Sequence, residues 1–201
     1  LGFGSGLNFC ATYQAWLGLE NRAPRLHFVS LEGFPMRLED LDRTLSHWPE
    51  LNQIRQELTA QYPAPVPGVH RLLFANGAVC LDLWFGDAES VSEQWAQQEL
   101  AVDAWYLDGF APSKNESMWS KSMLQRVAQL SRPGTTASTF SVSRHIKEPL
   151  LEAGFELKKM PGFGRKREQL FAVKRTEQTA IHWSTTPWHR TDRSHKAPAT
   201  V

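Results

Sequence analysis

Cysteine is scarce in this chain: there are two in 201 residues, Cys10 and Cys80. Both lie in apolar stretches, and neither has a second ligand at metal-binding spacing, so the sequence offers no disulfide framework and no metal pattern. Two reduced, buried thiols are expected. No run of about 18 apolar residues occurs, so no helix is expected to span a membrane. No signal peptide is legible. Neither sign of charge dominates, since 22 Lys and Arg against 21 Asp and Glu leave a net +1. That balance excludes a strongly basic protein that acts by bulk charge, but not a local basic surface. No internal repeat is present. The length and a hydrophobic content of 41% suit one soluble domain of moderate size, and a cytoplasmic monomer is expected. Eight tryptophans are many for this length, and several are expected to serve packing.

What the chain does have begins at its first residues. Gly2-Phe3-Gly4-Ser5-Gly6 places glycines at alternate positions, which lets backbone N–H groups turn inward and meet a ligand with no side chain between. Residues Leu7 to Leu19 then read as a helix, with Phe9, Tyr13, Trp16 and Leu17 along one side. Such a loop ordinarily follows a hydrophobic strand, and none precedes Gly2. Either the chain starts within a domain, or the glycine reading is wrong. In the first case a strand is missing, and the chain alone is expected to be aggregation-prone, partly molten or inactive.

Downstream, short strands and helices alternate. Leu26 to Leu31 reads as a strand ending at Glu32. Leu38 to Leu58 carries apolar residues at helical intervals, divided by Pro49. Val69 to Phe74, Asn76-Gly77 and Val79 to Trp84 give a hairpin signal. Val91 to Leu100 and Met118 to Leu130 are helical, with a strand from Val102 to Leu107 between them. Pro133-Gly134 precedes a strand from Thr135 to Phe140. Ser143 is placed to cap a helix running to Ala153, with Gly154 at its end. Phe155 to Lys159 and Gln169 to Lys174 form a closing strand pair. The pattern predicts an α/β sheet with helices on both faces.

Ligands in that architecture sit beyond the carboxyl ends of the strands. Three acids occupy such places. Glu32 is positioned to accept hydrogen bonds from the hydroxyls of a ribose, and would serve NAD or S-adenosylmethionine equally well. Asp87, after Trp84-Phe85-Gly86, can accept from an exocyclic amine such as that of adenine, or simply form a turn. Asp108 follows an apolar strand in Ala104-Trp105-Tyr106-Leu107-Asp108-Gly109-Phe110-Ala111-Pro112, and is the candidate catalytic carboxylate. Lys114 borders it in sequence. Arg144 and Lys147 form one positive cluster, and Arg165, Lys166 and Arg167 form another, as candidate nucleic-acid contacts. The glycine loop does not match GxGxxG, which disfavours an NAD-dependent oxidoreductase. A non-catalytic RNA-binding module would leave the three acids without a common purpose.

Together LGFGSGLNF at 1–9, LEGFP at 31–35, LWFGDA at 83–88, DAWYLDGFAPSKNESMW at 103–119 and PGFGRKREQLFAVKR at 161–175 resemble the methyltransferase part of the MnmC family. The resemblance implies a class I methyltransferase that uses S-adenosyl-L-methionine, with a Rossmann-like, mostly parallel sheet, helices on both faces, and its N-terminal part missing here. Residues 2–6 would form its cofactor loop, Glu32 the ribose-binding acid, Asp87 the acid beside adenine and Asp108 the active-site acid. It further implies methylation of the aminomethyl group of 5-aminomethyl-2-thiouridine at the tRNA wobble position, with the tRNA anticodon region as partner and no metal. In that family an FAD-dependent oxidoreductase domain follows and supplies the amine. On this reading residues 1–175 are a partial methyltransferase domain, and 176–201 are a linker toward an absent FAD domain.

Overall fold

The computed structural model describes residues 1–97, 101–108, 117–162 and 167–175. The first helix, α1 (Leu7–Leu17), forms where predicted because Phe9, Cys10, Tyr13 and Trp16 recur on one side and are buried there. After it comes β1 (Leu26–Glu32), and then α2 (Leu38–Leu45). Pro49 opens a single 3₁₀ turn, Pro49–Leu51, from which α3 (Asn52–Gln61) continues. The division predicted at that proline is present. Leu41, Leu45, Leu51, Ile54 and Leu58 form the inner face of this pair, each 5% exposed or less.

β2 (Gly68–Phe74) and β3 (Val79–Phe85) form the predicted antiparallel hairpin. Its connection runs through left-handed Ala75, Asn76 and Gly77, a longer turn than Asn-Gly alone suggests. β1 pairs in parallel with β3, giving a three-stranded sheet in the order β1-β3-β2. α4 (Ala88–Gln97) leads toward β4 (Val102–Tyr106). α5 (Lys121–Gln129) is capped by the Ser120 hydroxyl, which accepts from the Met123 backbone at 3.2 Å. β5 (Ser131–Thr139), α6 (Arg144–Glu152), β6 (Phe155–Pro161) and β7 (Glu168–Lys174) complete the described elements. Their sheet has the order β4-β5-β7-β6, parallel only between β4 and β5.

The architecture therefore corrects the expectation of one mostly parallel sheet. There are two small mixed sheets. The cause is local chain reversal: hairpins bring β2 against β3 and β6 against β7, and tight reversals make antiparallel ladders. β5 also begins earlier than predicted. Pro133-Gly134 sits inside it, at an irregularity where the register shifts between Val102 and Ala104 of β4.

Two apolar cores follow from the two sheets. One joins α1, α2 and α3 to β2 and β3. The other gathers Trp105, Leu124, Ile146, Leu150 and Phe155 with Leu31 and Trp84 of the first sheet. Leu31 and Trp84 thus tie the sheets together, as does the Phe28 ring stacked on Tyr106 with centroids 6.1 Å apart. Cys10 is fully buried as expected, and burial pushes its thiol up to about 12. Cys80 is only half-buried.

Candidate active site

The loop from Gly2 to Gly6 lies where the two sheets meet. Gly6 has φ 78° and opens α1, its N–H donating to the Phe3 carbonyl at 2.9 Å. A Cβ at Gly6 would lie 2.8 Å from the Phe3 ring and 3.1 Å from Leu58, so only glycine lets the turn close on α3. Phe3 is buried and stacks on Tyr62. Gly4 has φ 55° and faces the opposite way: a Cβ there would meet nothing within 4 Å. One glycine packs the loop inward, and the other leaves space in front of it.

Glu32 holds that loop. Its Oε2 accepts from the backbone N–H of Phe3 at 3.1 Å and of Gly4 at 2.8 Å, while Oε1 accepts from Phe34 at 2.8 Å. The residue is 8% exposed. Three N–H donors satisfy most of a carboxylate with about four lone-pair sites. Beside it, burial first and the Glu32 charge second push the Tyr62 phenol up to about 12. Asp87 stands at the neighbouring strand end, since Glu32 pairs with Phe85 and the Gly86 N–H donates to the Glu32 carbonyl at 3.1 Å. Its Oδ2 accepts from the N–H groups of Glu89 and Ser90 at 3.0 and 3.1 Å, capping α4.

Asp108 lies two residues beyond the end of β4. The Leu107 N–H donates to Ser138 at 2.9 Å, so the parallel β4/β5 ladder carries the chain up to the acid. Asn8, in the first turn of α1, sends Nδ2 to Asp108 Oδ2 at 3.5 Å. Thr12 on the same helix meets the Tyr106 hydroxyl at 2.9 Å. The Leu1 nitrogen also reaches the Tyr106 carbonyl, at 2.5 Å. The glycine loop, Glu32 and Asp108 thus converge at one edge, although Glu32 and Asp108 belong to different sheets. Asn8, Thr12 and Tyr106 were not singled out from sequence, because only the folded juxtaposition of α1 with β4 gives them a partner.

A family model described as S-adenosyl-L-methionine-dependent methyltransferase matches residues 49–175, which include Asp87 and Asp108. The chain belongs to that family. Among solved structures, the methyltransferase shares its fold with MNMC2 from Aquifex aeolicus, at a TM-score of 0.67 and 20% identity. That likeness covers 90% of this chain and 54% of the other, so the chain spans about half the length of the structure it matches. A weaker similarity, to M1.HpyAVI in complex with SAM, has a TM-score of 0.37 at 25% identity, over 51% of this chain and 57% of that one. No argument below rests on it.

The methyltransferase's predicted basic residues separate on inspection. Lys114, Arg165 and Lys166 lie outside the described residues. Arg144 is exposed and committed to Glu148 one helical turn on, at 2.6 Å, which raises its pKa. Lys147 is half-buried on α6. Arg167 is exposed at the start of β7, its carbonyl receiving the Gly162 N–H at 3.0 Å. It lines a groove of about 420 Å³ with Phe140, Ser141, Val142, Ser143 and Glu168. Ser143 precedes α6 as predicted, but its hydroxyl caps nothing in the helix.

The fold also assembles a donor cluster that sequence spacing concealed. His27 Nε2, Cys80 Sγ and an Asp82 oxygen lie within 4.8 Å of one another, contributed by adjacent strands. The Arg71 guanidinium already grips both Asp82 oxygens at 2.7 Å, and His27 meets Oδ2 at 2.8 Å. His27 and Cys80 are the second residues of β1 and β3, and Asp82 is the fourth of β3, so the cluster lies several residues before the strand ends that carry Glu32 and Asp87.

Proposed function

We propose that the domain transfers a methyl group from S-adenosyl-L-methionine to the aminomethyl group of 5-aminomethyl-2-thiouridine at the tRNA wobble position. The observation that carries this reading is the convergence of the Glu32-anchored glycine loop with Asp108 at one edge. The family membership supports the cofactor. The motif stretches around Asp108 and Arg167 support the acceptor, through their resemblance to the MnmC methyltransferases. In this reading residues 1–175 are the methyltransferase part, and 176–201 lead toward an FAD-dependent part that supplies the amine.

The residues present fit the cofactor. The space left by the missing Cβ of Gly4 admits a ligand against the loop backbone. Residues 2–6 would cradle it, the remaining lone pair of Glu32 would accept a ribose hydroxyl, and Asp87 Oδ1 would accept from the adenine amine. When bound, the cofactor supplies an electrophilic methyl group on a sulfonium, so no metal is needed to activate the leaving group.

The chain's own task is to present a neutral amine in line with that methyl and away from water. A primary amine is mostly protonated near neutral pH. Asp108 attracts the ammonium form, receives or relays its proton, and holds the nitrogen lone pair toward the methyl. Asn8 steadies the carboxylate from α1. An anticodon base leaves its stack more readily than a duplex base does, which lets it enter a shallow edge site. The test is methylation of tRNA carrying 5-aminomethyl-2-thiouridine, read by nucleoside mass spectrometry. A mass gain of one methyl on that nucleoside is expected. Cofactor binding without methylation of this tRNA would reject the acceptor while leaving the family membership intact, and tRNA binding without any turnover would favour a non-catalytic RNA-binding role.

A further inference from the structure

Among the described residues, Phe140 is a large exposed side chain that directly follows β5, the strand paired with β4. The β4/β5 ladder pairs Trp105 with Ala137 and Tyr106 with Ser138. β4 ends at Tyr106 and β5 at Thr139, and the Leu107 N–H still reaches the Ser138 carbonyl at 2.9 Å, so Asp108 and Phe140 both follow the carboxyl ends of two neighbouring parallel strands. Phe140 is 42% exposed, whereas Phe3, Phe9, Phe74, Phe85 and Phe155 are 6% or less. It opens onto the groove that also holds Ser141, Ser143 and Arg167. Glu168 in that groove is already paired with Lys159 at 2.9 Å, which leaves the Arg167 charge uncompensated by its acidic neighbour.

An exposed ring, two hydroxyls and a guanidinium form a set that matches a nucleotide: a planar base to stack, polar edges and a phosphate. We propose that this groove is the acceptor subsite for a single-stranded RNA nucleotide, with Phe140 stacking on the base and Arg167 holding an adjoining phosphate. The inference rests on the methyl-transfer reading of Asp108 and adds the residues that bring the acceptor to it. An acceptor on a peptide would need an aliphatic channel for a lysine stem, whereas the apolar lining here is one aromatic ring and Val142.

The experiment uses the full chain, with fluorescence anisotropy of a labelled oligouridylate and, separately, calorimetry with S-adenosyl-L-methionine. Phe140→Leu is expected to weaken oligouridylate binding about ten-fold, the scale on which one stacked base contributes. Phe140→Tyr should restore it. Arg167→Gln should reduce the salt slope by about one phosphate contact. Cofactor affinity should be unchanged in all three variants. Oligouridylate affinity unmoved by Phe140→Leu would overturn the subsite even if the cofactor binds. So would Phe140-dependent binding of a lysine-bearing peptide in place of RNA. Failure of the unaltered chain to bind cofactor would instead remove the methyl-transfer reading beneath it.

Discussion

At the scale of single residues, two glycines of one loop have different physical duties. Gly6 is held at positive φ between Phe3 and Leu58, with no room for a methyl group. Gly6→Ala should cost about 1–3 kcal/mol through strain and displaced packing. Gly4 is also at positive φ, but its missing Cβ faces open space. Gly4→Ala should cost less stability and more cofactor affinity, because the added methyl enters the proposed ligand space. Thermal unfolding and calorimetry on the two variants separate these effects. Equal losses of stability, with cofactor affinity unaffected by Gly4→Ala, would refute the division. The alternating glycines were legible in sequence, and so was an acid at position 32. What was not legible is that Glu32 binds the loop itself through Phe3 and Gly4. That contact spans 28 and 29 residues and has no local signature.

At the scale of elements, most helices and strands were legible because their causes are local. Pro49 divides α2 from α3, Gly154 ends α6 at φ 79°, and the apolar spacing of α1 buries one side of it. Asp87 shows where local reading stops, since the same carboxylate both begins α4 and stands beside Glu32. Asp87→Ala removes the cap and should lower stability by about 1 kcal/mol. Hydrogen exchange should show the first turn of α4 opening more often, at Glu89 and Ser90. Unchanged protection there would mean that the cap contributes nothing. The β1-β3-β2 sheet carries a pH-dependent element of its own. Burial raises the Asp82 carboxyl, but hydrogen bonds from Arg71 and His27 outweigh it and hold the pKa below the ordinary value. A lowered folded pKa gives stability that is present above the unfolded value, about 4, and lost as pH falls through the folded one. The destabilisation by Asp82→Asn should therefore be about 1–3 kcal/mol at pH 6 and shrink below pH 4. Urea unfolding across that range measures it, and a difference that does not vary with pH would contradict this account.

For the whole molecule, the partition into two sheets was the part that sequence did not disclose. Alternation of strands and helices predicts layers, but ladder partners are set by long-range pairing. β1 passes over β2 to pair with β3, and β5 pairs with β7 across α6 and β6. The proposed functional edge lies between the sheets, joined by Phe28 on Tyr106 and by the first residues of the chain. None of the described helices is long and apolar enough to cross a membrane. The basic clusters were the least legible feature. Sequence grouped Arg144 with Lys147, but the fold pairs Arg144 with Glu148 and sets Arg167 into the groove beside Phe140.

The central claim is that Glu32 and Asp108, on separate sheets, divide cofactor binding from methyl transfer. The most direct test compares Glu32→Ala and Asp108→Asn by calorimetry with S-adenosyl-L-methionine and by single-turnover methylation at saturating tRNA and cofactor. Glu32→Ala should weaken cofactor binding by about ten-fold or more, the scale of losing hydrogen bonds to a charged group. Asp108→Asn should bind cofactor nearly as before and transfer the methyl about 10²–10⁴ times more slowly. A wild-type transfer rate in Asp108→Asn, or unchanged cofactor affinity in Glu32→Ala, would contradict the account.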